Sequence, residues 1–327
     1  KDTHGRFNAH ESIAYKNGFL DKPVVNIWAY KIRDILIKRY PDMPFKKRDF
    51  TFTPTYDIDL AFSYRGKGFL RSIGGYLKSL SQGNFKDILQ RTQVLWGFKS
   101  DPYNTFLYQI NLHKRFNLTP LYFVLYAQYG QYDKNTPIKN RRFQILIKHL
   151  ADYADVGIHP SYASNNNYEV LKNEIKNLSL TLNREITFSR QHYLKLAIPS
   201  TYRNLINLDI HNDYTMGFAA EPGFRAGTCD SYKFYDLDLE LSTNLRIHPF
   251  TLMEGSLKDY KNINPKEAFP HIKKLVDAVK EVDGTLITLW HNHSLNDDIN
   301  EGRWKKPYEE MIEYIESLKE INRTEKD

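Results

Sequence analysis

The feature that most constrains the fold is the alternation of short apolar runs with longer segments of helical periodicity. The strand-like runs are 52–60, 119–127, 155–159, 185–188 and 284–290. The helical segments are 26–40, 69–97, 105–116, 141–152, a stripe from Tyr168 to Leu178, 265–281 and a last stripe from Tyr308 to Leu318. Because strands that alternate with helices build parallel sheets with the helices outside, the sequence predicts an α/β fold with a parallel sheet or barrel.

Polar side chains follow four of these predicted strands. In parallel α/β folds, reactive groups gather where the carboxyl ends of the strands meet. The polar residues at these ends are Asp57 and Asp59, then His159, then Ser189, Arg190, Gln191 and His192, and finally His291 and His293. The recurrence at four separate ends indicates a site that uses carboxylates, imidazoles and a guanidinium.

Asp57 and Asp59 are two residues apart, so on a regular strand both side chains point to the same face. Two carboxylates held that close repel each other unless a cation or an arginine lies between them. One aspartate that binds a metal and a second that acts as a base would resolve this conflict. The alternative is a solvated turn in which an aspartate caps the following segment.

The chain has one cysteine, Cys229, so any metal must be bound by His, Asp or Glu. We expect this cysteine to be a small buried residue rather than a nucleophile, because no histidine is paired with it locally. Gly-rich phosphate loops, dinucleotide fingerprints and the GxSxG and HExxH motifs are absent from the sequence. The His-Asn-His string at 291–293 fits two other enzymes, a metal hydrolase with His291 and His293 as joint ligands or a nuclease.

Charge and hydropathy exclude some classes of protein. The net charge is +7 over 327 residues, and the basic residues are scattered, which gives no reason to expect nucleic acid as a partner. The longest apolar run, 121–127, is too short to span a membrane, and no signal peptide opens the chain. We therefore expect a soluble protein, with the cytoplasm favoured, and a fragment whose native N-terminus precedes Lys1. The oligomeric state is not predicted.

Five segments in order, TYDID, DVGIHPS, SRQHYLK, GFRAGTC and TLWHNHS, resemble the polysaccharide deacetylases of carbohydrate esterase family 4, as a divergent branch of the NodB type. The resemblance covers about residues 50–295. It implies a distorted (β/α)7-type barrel that holds one divalent metal, most often zinc, with cobalt or nickel possible. It also implies hydrolysis of N- or O-linked acetyl groups on a saccharide. Residues 50–327 would form this domain, and residues 1–49 would be the remainder of a partly helical N-terminal region.

The resemblance assigns roles to residues of this chain. Asp57 becomes the general base, and Asp59 and His159 become metal ligands. The family's second ligand histidine falls at Ala163, and His192 is our first candidate to replace it. Arg190 would pair with the base, with Arg225 as a competing candidate.

The same resemblance assigns the remaining positions of the site. His291 would be the general acid that protonates the leaving group. The predicted substrate-binding residues are Tyr162, Asp213, Tyr214, Trp290 and His293. Because Ala163 removes a ligand, the alternative is a non-catalytic protein of this fold that binds glycans through its aromatic side chains, which make up 14% of the sequence.

Overall fold

The fold is described from a computed structural model, which covers residues 1–296 and 302–324. A central sheet is built from strands β1 Thr51–Ile58, β2 Leu121–Val124, β3 Asp155–Ile158, β4 Phe188–Ser189, β5 Asn212–Asp213, β6 Tyr232–Asp236, β7 Leu241–Ile247, β8 Leu252–Met253 and β9 Thr285–His291. Within the described residues these nine strands are hydrogen bonded in the order β6-β7-β5-β4-β3-β2-β1-β9-β8. Neighbouring strands are parallel except β6 and β7, which form an antiparallel pair.

Helices cover the sheet and connect its strands. They are α1 Ile13–Lys16, α2 Val24–Arg39, α3 Phe69–Ser81, α4 Phe85–Leu95, α5 Phe106–Arg115, α6 Arg141–Ala151, α7 Tyr168–Leu182, α8 Ser200–Ile206, α9 Pro265–Lys280 and α10 Lys305–Thr324. Several begin at an asparagine whose side chain accepts a backbone hydrogen bond, as Asn140 does for α6 and Asn167 for α7. None of the helices in the described ranges has the length and apolar character that crossing a membrane requires.

The core lies on both faces of the central strands. All four residues of β2 are buried, which explains why its sequence is continuously apolar rather than alternating. The helices α6, α7, α9 and α10 bury their apolar stripes against this sheet, and Cys229 is buried among the same core residues.

The predicted α/β fold with a mostly parallel sheet is confirmed. Among the described residues β6 and β8, at the two ends of the sheet, do not pair with each other, so the barrel is not closed by hydrogen bonds. The single helix predicted over 69–97 is wrong in one respect, because it breaks into α3 and α4 at Gly83, which has a φ of +64°. The strand predicted at 185–188 is shorter and lies at Phe188–Ser189, and β5 to β8 were not predicted.

The N-terminal region packs against the sheet-containing part of the chain. The backbone N–H of Val25 donates to Gly227 at 2.9 Å, and the N–H of Phe224 donates to Leu20 at 2.8 Å. The buried Asn26 side chain donates to Asp230 at 2.6 Å. The division at residue 49 stays a prediction, but these contacts attach residues 20–26 to the rest of the chain.

Candidate active site

Carboxyl ends of adjacent strands meet in a pocket of about 240 Å³. Its walls include Asp57 in β1 and Asp59 directly after it, His159 after β3, His192 after β4 and His291 at the end of β9. The register explains the convergence, because Asp57 pairs with His291 on one side and with Phe123 of β2 on the other. The structure thus brings together five of the residues that the sequence placed at the strand ends.

Arg190 lies against Asp57 inside the protein. Its Nη1 donates to Oδ1 of Asp57 at 2.8 Å and its Nε donates to the carbonyl of Tyr214 at 3.0 Å. Arg190 is fully buried and Asp57 is 2% exposed, and the guanidinium packs over the ring of Phe123. The positive charge of Arg190 therefore compensates a carboxylate that burial alone would disfavour.

Three side chains place candidate ligand atoms close to one another. Nδ1 of His159 lies 2.5 Å from the carbonyl oxygen of Arg190, so Nδ1 carries the proton and Nε2 is the free acceptor. This Nε2 lies 3.2 Å from Oδ1 of Asp59, a buried oxygen without a hydrogen-bond donor. Candidate ligand atoms of Asp59, His159 and His192 all lie within 4.8 Å of one another. Facing acceptors of this kind fit a cation, and one carboxylate with two imidazoles suits zinc, cobalt or nickel.

His192, the predicted replacement for the family's second ligand histidine, lies beside Asp59, and Ala163 does not. Ala163 is exposed and carries no ligand, whereas Nε2 of His192 lies 3.7 Å from Oδ2 of Asp59. On the other side of the ring, Nδ1 lies 2.8 Å from Asp133, which also accepts the backbone N–H of Tyr162. Burial alone would lower the pKa of His192. The negative charges and hydrogen bonds of Asp59 and Asp133 have the larger effect and raise this pKa to about 9. Asp133 comes from the loop between β2 and α6, and nothing in the sequence marked it.

The turn that follows His192 is conformationally unusual. Tyr193 has a φ of +59° and Leu194 a φ of +53°, a left-handed region that side chains beyond Gly rarely adopt. Each such residue costs on the order of 1–3 kcal/mol and persists only where its surroundings hold it.

His291 is paired with Glu254, a second residue that sequence reasoning missed. Glu254 is 1% exposed, and one of its oxygens accepts from Nδ1 of His291 at 2.8 Å, from the backbone N–H of His291 and from Ser294. Burial would lower the pKa of His291, but Glu254 overrides it and raises this pKa to about 10. Glu254 directly follows β8, so the strand-end rule would have found it had a strand of two residues been predictable.

Arg225 does not contact Asp57. Its Nη1 donates to the carbonyl of Gly217 at 2.9 Å, and its guanidinium lies over the ring of Phe218, in a neighbouring cavity. The pairing partner of Asp57 in the structure is therefore Arg190 rather than Arg225.

Some of the predicted substrate-binding residues lie away from the pocket in the structure. Trp290 is fully buried against Tyr308 on the helix side of β9, so its prediction as a cleft residue is wrong. Asp213 is also fully buried and accepts from Thr215, and Tyr214 stacks on His248, so neither lines the pocket.

Tyr162 and His293 lie nearer to the site. Tyr162 packs against Tyr132 and Tyr193 at the rim of the pocket. His293 stands beside the His291 ring and Tyr103. Among the described residues, His291 and His293 do not belong to a group of three potential metal ligands, which removes the support for a site with these two as joint ligands.

Comparison with known proteins shows which solved structures have a similar fold. Residues 1–41 match a family of unknown function (DUF7033), and no curated protein sequence matches the chain. A putative polysaccharide deacetylase from Mycobacterium smegmatis is structurally similar, with a TM-score of 0.52, 13% identity, and coverage of 83% of this chain and 86% of that one. A probable polysaccharide deacetylase from Pseudomonas aeruginosa PAO1 has a TM-score of 0.50 at 13% identity, with 86% and 91% coverage. The PuuE allantoinase also has a TM-score of 0.50, at 12% identity, with 81% and 84% coverage.

These likenesses concern the fold. The chain has the fold of the polysaccharide deacetylases, as the order of its motifs indicated. Its potential metal site is formed by its own residues Asp59, His159 and His192.

Proposed function

We propose that this chain is a metal-dependent hydrolase that removes N- or O-linked acetyl groups from a saccharide. The observation that carries the proposal is the convergence of Asp59, His159 and His192 beside the buried Asp57–Arg190 pair, with His291 in the same pocket. A divalent metal bound by the three ligands would supply Lewis acidity, which polarises an acyl carbonyl and lowers the pKa of a water molecule.

Two residues of the pocket, Asp57 and His291, carry out the proton transfers. Asp57 takes the proton from the attacking water, because its second oxygen is left free by the contact of the first with Arg190. His291 gives a proton to the departing nitrogen or oxygen of the sugar. Its Nδ1 is committed to Glu254, so the proton on Nε2 is the one that faces the pocket, 3.7 Å from Asp59. Because Glu254 raises the pKa of His291 to about 10, the imidazole is charged at neutral pH, as an acid must be.

Three tyrosines beside this pocket support a saccharide as the substrate. Tyr132, Tyr162 and Tyr193 form a cluster there with ring centroids 4.2 to 5.8 Å apart, and Lys195 lies over the Tyr162 ring. Flat tyrosine faces pack against the apolar faces of sugar rings, and their hydroxyls hydrogen bond to sugar hydroxyls. The proposed substrate is therefore an acetylated saccharide whose ring rests on this cluster.

An Asp57→Asn variant tests the function. We expect zinc-loaded wild-type protein to release acetate from N-acetylated or O-acetylated oligosaccharides. Asp57→Asn should abolish this release while keeping its zinc, measured by elemental analysis. Asp155→Asn, at the exposed start of β3, is the matched control and should leave both quantities unchanged.

The other results would contradict the proposal at different points. Wild-type protein that takes up no stoichiometric zinc, cobalt or nickel would rule out the metal mechanism. Loaded protein that binds the oligosaccharides without releasing acetate would support the non-catalytic glycan binder instead.

A further inference from the structure

The turn that carries His192 follows a strand of only two residues, β4. This strand pairs with β3 at one register position and with β5 at two, and beyond it the N–H of His192 donates to the carbonyl of Pro160 at 3.1 Å. Directly after His192 the backbone enters the left-handed region at Tyr193 and Leu194. A conformation of this kind needs contacts from elsewhere in the fold to persist.

The N-terminal segment supplies such a contact through Arg6. Nη1 of Arg6 donates at 2.9 Å to the carbonyl oxygen of Tyr193, the residue directly after His192. Nη2 donates to the hydroxyl of Tyr260 at 3.1 Å, and Nε donates to Asp2 at 2.6 Å. The guanidinium is thus held by three acceptors, and Arg6 is 8% exposed.

A second residue of this segment reinforces the contact. The ring of His4 lies 4.7 Å from the ring of Tyr193 and also packs on Tyr132 and Tyr162. Arg6 itself lines the candidate active-site pocket beside His192 and Tyr193. Residues 2–6 therefore hold the backbone of the ligand turn and one wall of the pocket together.

We propose that Arg6 is a positioning residue for the metal site, which makes the N-terminal segment a structural part of the active site. The proposal rests on the proposed function, because the position of His192 matters to a metal only if His192 is a ligand. Asp133 fixes the ring of His192 through Nδ1, and Arg6 fixes the backbone that follows it. The two contacts act on the part of the turn that lies beyond the end of β4, where the backbone is left-handed at Tyr193 and Leu194.

Zinc affinity tests the proposal without any measurement of activity. We expect Arg6→Gln to weaken zinc binding by about tenfold or more, measured by competition with a chromophoric chelator, since loss of a group that orients a ligand has this effect. The visible absorption spectrum of the cobalt-loaded protein should change as well, because it reports the ligand geometry. Arg6→Lys, which keeps a donor and the charge, should restore part of the affinity.

Arg48→Gln is the matched control. Arg48 also belongs to the N-terminal region and pairs with a carboxylate, Asp230, but it does not line the candidate active-site pocket. We expect its zinc affinity and cobalt spectrum to equal those of the wild type. Thermal unfolding of the metal-free proteins shows whether Arg6→Gln folds. If Arg6→Gln does not fold, the zinc affinity of Arg6→Lys is compared with that of the wild type instead.

The outcomes separate this proposal from the proposed function. Wild-type zinc affinity and an unchanged cobalt spectrum in Arg6→Gln would overturn the role of Arg6 alone. An equal loss of affinity in Arg48→Gln would also overturn it, because the effect would then be a general consequence of loosening the N-terminal region. Wild-type protein that binds neither metal would overturn the metal site itself.

Discussion

Replacing Glu254 with glutamine removes one negative charge from the partner of His291 and keeps an oxygen that can accept a hydrogen bond. In the wild type this carboxylate accepts from Nδ1 of His291 at 2.8 Å, and it is almost completely buried. The histidine in turn lowers the pKa of Glu254 to about 2 despite its burial. The variant therefore isolates the contribution of the charge to the protonation of His291.

The size of the effect follows from the electrostatics of a close pair. Two unit charges at about 4 Å interact with roughly 4 kcal/mol at an effective dielectric constant of about 20. Since one pKa unit corresponds to about 1.4 kcal/mol, the loss of the charge should lower the pKa of His291 by about 3 units at most. The pKa should thus fall from about 10 toward 7, with Asp59 and Asp57 keeping it from falling further.

Proton NMR titration of the metal-free protein measures this pKa directly. The imidazole resonance is assigned from its absence in a His291→Gln variant. A His291 pKa that stays within half a unit of the wild-type value in Glu254→Gln would refute the reasoning, and so would a wild-type value below 7. For the proposed hydrolase, the alkaline limb of kcat/KM should move to lower pH in the same variant, because less of the proposed acid, His291, is then protonated.

The same pair determines a pH dependence of stability. The folded state raises the pKa of His291, so this contribution is complete below about pH 6.5 and is lost as the pH rises through about 10. The folded state lowers the pKa of Glu254, so its contribution is complete above about pH 4.5 and is lost as the pH falls toward 2. Urea unfolding should show the largest difference between wild type and Glu254→Gln between these limits, from about pH 4.5 to 6.5.

Two further substitutions address the supports of the site. Arg190→Met should destabilise the metal-free protein by about 3–5 kcal/mol in urea unfolding, because it leaves the Asp57 carboxylate buried without its cation, whereas the exposed Arg246→Met should cost less than about 0.5 kcal/mol. Gly157→Ala would place a Cβ 2.7 Å from a backbone oxygen of β4, so it should separate β3 from β4, weaken zinc binding and destabilise the fold by about 1–3 kcal/mol. Gly74→Ala, where nothing lies within 4 Å, is the control and should leave zinc binding unchanged; equal zinc affinity in both glycine variants would contradict this view of the strand spacing.

The sequence predicted those parts of the site that lie at the ends of recognisable strands. β1 and β9 are long, and their apolar residues reveal where they stop, so Asp57, Asp59 and His291 could be predicted. Trp290 was misplaced although the pleat could have corrected it, because neighbours on a strand point to opposite faces and His291 already faces the pocket.

Other parts had no local pattern to reveal them. Strands of two residues show no periodicity, so β8 and with it Glu254 were missed. Asp133 is one of several polar residues in a loop, and its role depends on a contact with His192, which is 59 positions away. The choice between Arg190 and Arg225 depended on side-chain direction, which one sequence does not contain.

Asp57 and His291 are register partners on hydrogen-bonded parallel strands, so their backbones are about 4.8 Å apart wherever the loops go. The proposed proton acceptor and proton donor therefore stand on two strands that are paired at seven register positions, whereas two of the three potential metal ligands, His159 and His192, lie just beyond the ends of short strands. Removing the metal with a chelator should disturb the positions of His159 and His192 and leave Asp57 and His291 in place. The proposed activity should then return within the time of metal uptake, without the slower step of refolding.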